Sequence, residues 1–331
     1  MAIKCVVTDF IEPDLQWEAD ELGKRGVEFA FHQLKFAPVE QVIAATRDAD
    51  VVVVNMVPIT PEVIAGWEKC RLVIRHGTGY DNVNTPALTK AGIPLVYIPD
   101  YCVDEVAEQA IALIFACARR IVRSRKVLDD SVARGQWDFA DIIPMFRMAG
   151  KTVGIIGCGR IGSTVLRKLQ SFGFKFLICD PYLSEKRRKD LGVELVDKET
   201  LFRQSDFITI HTPLNDETRH IVNAEMLALM KPTAYLVNTS RGPMVDAYAL
   251  AEAIKSGKIA GAGIDVFDKE PPASDYPLLN LPNAILTPHL AWYSEDAGWR
   301  IREIILEEID RFIAGQNPRY TVNSEVLKSR I

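Results

Sequence analysis

The chain has 331 residues, of which 48% are hydrophobic and 25% charged, and its 39 basic and 44 acidic residues leave a net charge of −5. That length exceeds what a single hydrophobic core usually supports, so two domains are expected. The acidic balance argues against nucleic acid or a membrane surface as the main partner, and no apolar run reaches the length of a membrane span. The start MAIKCVVTDF lacks a charged leader followed by a long apolar region. Cys5, Cys70, Cys102, Cys117, Cys158 and Cys179 form no C-x-x-C pair, and several sit inside apolar runs as small hydrophobes, which fits a reducing, cytoplasmic setting.

Strand-like apolar runs are predicted at Ile3 to Thr8, Val51 to Val54, Leu72 to Ile74 and Leu95 to Ile98. Helical spacing is predicted at Asp14 to Arg25, Pro38 to Arg47 and Pro61 to Lys69. Near-continuous apolar strands alternating with helices imply a small α/β domain whose parallel sheet is covered on both faces. Asp104 to Lys126 reads as one long, alanine-rich helix that opens a second domain. The apolar part of it, Val106 to Ala118, exceeds what a one-sided surface helix needs. A homodimer contact or burial within its own chain would each account for that.

The stretch Lys151 to Asp180, KTVGIIGCGRIGSTVLRKLQSFGFKFLICD, then reads as strand, glycine turn, helix and second strand. Gly157, Gly159 and Gly162 give the G-x-G-x-x-G spacing at the strand-to-helix transition. The first serves the turn, the second a close approach of pyrophosphate, and the third helix-on-strand packing. Asp180 ends the second strand, where a carboxylate can accept hydrogen bonds from an adenosine ribose. Further strands near Phe207 to Ile210, Tyr235 to Asn238, Gly263 to Val266 and Ile285 to Thr287 complete a six-stranded doubly wound sheet, followed by a helix at Glu295 to Ala314.

In open α/β sheets ligands gather beyond the carboxyl ends of the strands. The polar residues there are Arg241 in NTSRG, Asp265 in GIDVF, Glu270 in DKEPP and His289 in TPH, with Arg75, Gly77 and Gly79 ending a strand of the first domain. Both sets of strand ends are expected to face one cleft. His289 is one of five histidines. Its position makes it a candidate general acid or base, although a histidine so placed is also commonly a hydrogen-bonded structural residue. No His and Cys spacing suggests a metal site.

Taken together, GCGRIG, Asp180, NTSRG, DVFDKEPP and TPHLAWYSE resemble the D-isomer-specific 2-hydroxyacid dehydrogenase family over nearly the whole chain. The segments RHGTGYDNV, PDYCVDEVAEQA and HLAWYSE are most similar to its C-terminal binding protein branch. The resemblance implies two doubly wound α/β domains: a discontinuous, flavodoxin-like substrate domain of residues 1–101 with 291–331, and an NAD-binding Rossmann domain of 102–290. It implies a dehydrogenase that interconverts a small 2-keto acid and its D-2-hydroxy acid. Arg241, Glu270 and His289 match the family's catalytic residues. Arg75, Gly77, Thr78, Gly79 and Trp292 would meet substrate. Thr78, Gly157, Gly159, Arg160, Ile161, Gly162, Asp180, Thr212, Thr239, Arg241, Asp265 and His289 would meet NAD. Glu270 would orient the imidazole and favour its charged form, and Arg241 offers a planar fork for a carboxylate. Phosphoglycerate dehydrogenase is the nearest alternative, weakened because the chain ends soon after its last helix. Formate dehydrogenase is weaker still, because that relative pairs its histidine with glutamine. A dinucleotide-sensing protein of the corepressor type is the alternative outside enzymology.

Overall fold

A computed structural model describes residues 2–328; Met1 and residues 329–331, the two ends of the expected 1–101 with 291–331 span, lie outside the described residues. The chain divides into two compact units, Met1–Tyr101 with Ser294–Ile331, and Cys102–Tyr293.

In the first unit β1 (Lys4–Val7), β2 (Glu28–Phe31), β3 (Val51–Val54), β4 (Leu72–Arg75) and β5 (Leu95–Val96) form a parallel sheet of order β2-β1-β3-β4-β5. β3 and β4 are buried along their whole length, as strands covered on both faces must be. One face packs on Ile301, Ile304, Ile305 and Ile309 of the helix Glu295–Ile313. Bidentate Arg302–Glu18 bonds at 2.5 and 2.6 Å and an Arg25–Asp310 pair tie that helix to Gln16–Lys24. Three elements go beyond the sequence reading, one of them the short helix Glu325–Lys328. β2 is an edge strand with an exposed-to-intermediate pattern and lacks a continuous apolar signature. The helix Thr85–Lys90 is short and is started by Asn84, whose side chain accepts from the Ala87 amide. The helix expected to reach Lys69 stops at Ala65, because Gly66 caps it.

In the second unit β6 (Thr152–Ile156), β7 (Lys175–Cys179), β8 (Phe207–Ile210), β9 (Tyr235–Asn238), β10 (Gly261–Ile264) and β11 (Ala284–Leu286) form an all-parallel sheet of order β11-β10-β9-β8-β6-β7. The strand order reverses between β6 and β8, and that switch point opens a crevice at the carboxyl ends. The single helix expected over 104–126 is instead two, Val103–Ala118 and Ile121–Ala133, broken at Arg120 with φ 49°. The first helix buries Leu113 and Ile114 against the sheet. The second buries only Ser131 and carries both Arg125–Asp129 and Lys126–Asp130 pairs and exposed Ile121, Val122 and Val132. Neither Gly nor Pro marks the break, so the sequence offers no local signal for it. Ala107, Ala110, Leu113, Ile114 and Ala118 of the first helix are buried inside their own unit, so most of its apolar side needs no second copy to cover it.

Candidate active site

The glycine turn is shaped by close approach. A Cβ on Gly157 would sit 2.7 Å from the His211 carbonyl oxygen, so the ends of β6 and β8 meet across the switch point. One on Gly162 would lie 2.1 Å from the Gly157 oxygen, whereas one on Gly159 would meet nothing within 4 Å. The turn is therefore closed toward the sheet and open at its middle glycine. The helix Arg160–Leu169 begins there with Arg160 exposed and Ile161 half-buried, so its free amides are available to an anion.

Asp180, directly after β7, accepts from the Cys158 amide at 2.8 Å and the Tyr182 amide at 3.0 Å, which fixes its carboxylate beside the turn. Beyond β8 and β9 stand His211, Thr212 and Thr239. The His211 Nδ1 and Thr239 Oγ1 atoms are buried and have no hydrogen-bond partner among the described residues. Orphaned polar atoms at strand ends, next to an open glycine, are what a bound polar molecule would satisfy. The residues fit a dinucleotide lying across this crevice.

The Arg241 loop is held by Asn238, buried at the end of β9. Its side chain receives the Ser240 amide at 3.0 Å and donates to the Arg241 carbonyl at 2.8 Å. Arg241 is half-buried and its Nη1 donates to the Ser240 carbonyl at 2.8 Å. Next to it, a Cβ on Gly242 would meet the Phe267 carbonyl carbon at 2.0 Å, so the Arg241 loop lies directly on the loop that leads to Glu270. The sequence alone does not point to this clamping role of Asn238. A polar residue closing the apolar run YLVN was the available signal.

His289 Nδ1 and Glu270 Oε2 are 2.7 Å apart, with side-chain exposures of 31% and 20%. Glu270 Oε1 also accepts from the Phe267 amide at 3.1 Å. Burial pushes the Glu270 carboxyl up, but the hydrogen bond and charge of His289, the Phe267 amide and the Arg241 charge outweigh it and hold Glu270 below the usual carboxylate range. A carboxylate acceptor makes Nδ1 the donor, which leaves Nε2 to exchange a proton with a substrate. His289 itself has φ 54°, a strained value for a side-chain-bearing residue.

Asp265 supplies the restraint on that backbone. It is fully buried, and its Oδ1 accepts from the Leu290 amide at 3.1 Å and from the Thr287 hydroxyl, while Oδ2 accepts from the Ala291 amide at 2.9 Å. Its own carbonyl takes the His289 amide at 2.7 Å. Burial pushes the Asp265 carboxyl up, partly offset by these bonds and by His289. Its oxygens are thus engaged within the His289 loop. Trp292 follows, half-buried and edge-on to Tyr293.

In the first unit Arg75 is buried at the end of β4, with its Nη1 donating to the His76 carbonyl. A Cβ on Gly77 would lie 2.1 Å from that Nη1, so only glycine permits this fold of the guanidinium. The Thr78 hydroxyl donates to the Ile98 carbonyl at 2.9 Å, and Gly79 is half-buried. Asp9, after β1, accepts from the amides of Asn55, Met56 and Val57 after β3 and so braces the mouth of this sheet.

His211 and His76, also at strand ends, are held in the neutral form and so have no imidazolium proton to give. Burial pushes His211 down to about 3. His76, 3.3 Å from Glu12, is also held below its usual range by burial. No group of three or more His, Cys, Asp or Glu residues suited to a metal ion occurs among the described residues, and none of their helices is long and apolar enough to cross a membrane.

Comparison with known proteins agrees with this geometry. The family described as "D-isomer specific 2-hydroxyacid dehydrogenase, NAD binding domain" matches residues 111–291. A glyoxylate reductase of Korarchaeum cryptofilum is 42% identical over 294 residues, 87% of each chain. A D-3-phosphoglycerate dehydrogenase of Methanocaldococcus jannaschii is 39% identical over 97% of this chain, which spans only 59% of that relative. Among solved structures, the D-lactate dehydrogenase of Aquifex aeolicus complexed with NAD and lactic acid superposes with a TM-score of 0.83 at 28% identity, over 98% of both chains. The chain therefore belongs to the D-isomer specific 2-hydroxyacid dehydrogenase family and carries that family's NAD-binding domain.

Proposed function

We propose that this dehydrogenase reduces a small 2-keto acid to the D-2-hydroxy acid, and catalyses the reverse, with Arg241, Glu270 and His289 as its catalytic residues. The observation that carries the reading is the 2.7 Å pair between His289 Nδ1 and an ionised Glu270, beside the Arg241 loop. NADH, when bound, would supply a hydride, the hydrogen and two electrons that make the new C–H bond at the keto carbon. The protein's part is electrostatic. As charge develops on the carbonyl oxygen, protonated His289 gives it the proton from Nε2, and Glu270 compensates the imidazolium until that moment. Arg241 presents two parallel N–H groups to the substrate carboxylate and orients the keto carbon. In oxidation the neutral ring takes the hydroxyl proton. Arg75, with Gly77, Thr78 and Gly79, is proposed as a second carboxylate contact, and Trp292 as a pocket wall. Gly157, Gly159, Arg160, Ile161, Gly162, Thr212 and Thr239 are proposed to line the dinucleotide.

Glyoxylate is the first substrate to test, since relatives named glyoxylate reductase match most of this chain. A panel of 2-keto acids with NADH, followed by loss of nicotinamide absorbance and by chiral analysis of every product that has a stereocentre (glycolate, from glyoxylate, has none), tests the proposal. Turnover yielding the D-hydroxy acid supports it, and dinucleotide binding with no turnover on any keto acid would favour the sensing role. Placement in the C-terminal binding protein branch rests only on RHGTGYDNV, PDYCVDEVAEQA and HLAWYSE; the relatives compared carry enzyme names.

A homodimer is proposed on different grounds from the sequence reading. Ile121, Val122, Val132, Trp137, Phe139 and Phe146, all within residues 121–146 of the second unit, are exposed, and exposed apolar side chains are what an interface between copies would cover. Light scattering should give twice the chain mass. A cytoplasmic location is proposed from the six free cysteines.

A further inference from the structure

Glu12 and His76 have no place in the chemistry assigned so far, and they form a nearly buried pair in the first unit, next to Arg75. His76 follows β4 directly and Glu12 lies in the loop after β1. β3 separates those two strands in the sheet, so the pair joins loops that are not neighbours. His76 Nε2 is 3.3 Å from Glu12 Oε1, with side-chain exposures of 10% and 12%. Glu12 Oε2 accepts from the Ile11 amide at 3.0 Å, which fixes the carboxyl from its own loop. Arg302 is also at hand. It is bonded to Glu18 and lies over the rings of Trp17 and Trp299, at 5.3 and 4.5 Å from their centroids. Chiefly those Glu18 bonds, and in lesser part the charges of Glu18 and Glu12, favour its charged form against burial.

We propose that Glu12, acting through His76, positions Arg75 for the carboxylate of the substrate. The inference rests on the reading of Arg75 as a carboxylate contact and says what sets the geometry of that contact. The Arg75 guanidinium folds back over its own chain, where Nη1 donates to the His76 carbonyl. The peptide that carries this oxygen therefore helps to decide where the fork points. Backbone bonds hold the stretch at both ends, from the His76 amide to the Val54 carbonyl at 2.8 Å and from the Ile98 amide to the Gly77 carbonyl at 3.0 Å. Gly77, whose missing side chain admits the guanidinium, gives the stretch no anchor of its own. The His76 ring anchors it from the side, and Glu12 holds the ring. Burial, supported by the charge of Arg75, keeps that ring neutral against the pull of Glu12, Asp9 and Glu18. The contact thus works without a second positive charge beside Arg75. Loosening the ring lets the fork wander, a loss of orientation that falls on carboxylate binding and leaves proton transfer at His289 alone.

The test combines steady-state reduction of glyoxylate at saturating NADH with calorimetric titration of oxamate, an unreactive mimic of a 2-keto acid, into the NADH complex. It compares the full-length unmodified protein with Glu12→Ala, Glu12→Gln, His76→Ala, Arg75→Ala and the double variant Glu12→Ala/Arg75→Ala. Glu12→Ala and His76→Ala should each raise the glyoxylate KM and weaken oxamate by about fivefold or more, while kcat and NADH affinity change less than about twofold. Glu12→Gln keeps an oxygen facing the ring and should stay within about threefold of the unmodified protein. In the Arg75→Ala background the Glu12 substitution should add less than about twofold, because its effect runs through a guanidinium that is gone. Oxamate reads the contact even without turnover, and His76→Ala carries the test if Glu12→Ala does not fold. Unchanged KM and oxamate affinity in Glu12→Ala would overturn the proposal. So would effects that multiply in the double variant, or a fall in kcat as large as the rise in KM. If Arg75→Ala itself changes neither quantity, the reading of Arg75 falls as well. If Arg75→Ala weakens oxamate and Glu12→Ala does not, the positioning role alone falls.

Discussion

Replacing Asp265 by asparagine separates holding the histidine from holding the cofactor. The carboxylate receives the Thr287 hydroxyl and the Leu290 amide on one oxygen and the Ala291 amide on the other, with no exposure to solvent. Asparagine has the same shape but a single acceptor oxygen. If that oxygen keeps Thr287 and Leu290, its NH2 group faces the Ala291 N–H, donor against donor. One charge-assisted bond is lost and one buried amide is left unsatisfied, a cost of about 1–3 kcal/mol. Part of it is returned because burial already pushes this carboxyl up, so removing the charge relieves some desolvation. A net cost of about 1–2 kcal/mol lowers the melting temperature by a few degrees in a unit of this size. The larger consequence falls on His289, whose φ of 54° is sustained by the same loop. Turnover should drop at least about tenfold, equivalent to about 1.4 kcal/mol of transition-state stabilisation. The NADH dissociation constant should change less than about threefold. Stopped-flow reduction rates and fluorescence titration give the two numbers. Parallel loss of NADH affinity and turnover would show that Asp265 acts on the cofactor directly, and undiminished turnover would refute the argument about the loop.

Three further outcomes follow. Arg241→Ala should abolish measurable reduction while NADH still binds, because the guanidinium fork acts on substrate; substantial turnover in that variant would remove Arg241 from the catalytic set. Arg75→Ala should raise KM more than it lowers kcat if Arg75 binds the carboxylate in the ground state, and an unchanged KM counts against that role. Gly162→Ala places a Cβ 2.1 Å from the Gly157 backbone oxygen. Backbone has to move to admit it, so NADH affinity should fall by more than about tenfold at an overpacking cost of about 1–3 kcal/mol; calorimetric titration showing unaltered affinity would contradict the shape assigned to the turn.

The parts of the fold visible in the sequence are those with a local cause. β3 is four consecutive valines and needs both faces covered, and β8 and β9 are bounded as their apolar runs are. β2 carries no apolar signature because an edge strand can be half exposed, and the break at Arg120 has neither Gly nor Pro to mark it. At the site, His289, Glu270 and Arg241 stood out as polar residues at strand ends. What could not be read was which polar groups hold which. The three bonds on Asp265, the clamp made by Asn238 and the contact of His76 with Glu12 each depend on loops meeting across the sheet. Sequence spacing does not encode such meetings.

The proposal that Glu270 and His289 act as one proton-donating pair is tested most directly by the pH dependence of keto-acid reduction in the unmodified protein and in Glu270→Gln. Glu270 is held below the usual carboxylate range, by His289 more than any other group that lowers it, against the upward push of burial. A depressed carboxylate is ionised at and above its ordinary value and loses its charge only as the pH falls through the lowered one. The negative charge is therefore present throughout the neutral and alkaline range. Glutamine can still receive the ring N–H but supplies no charge, so the alkaline limb of the reduction profile should lie at lower pH in Glu270→Gln, with the oxidation profile displaced in the same direction. Superimposable profiles would contradict the pairing on which the proposed chemistry rests.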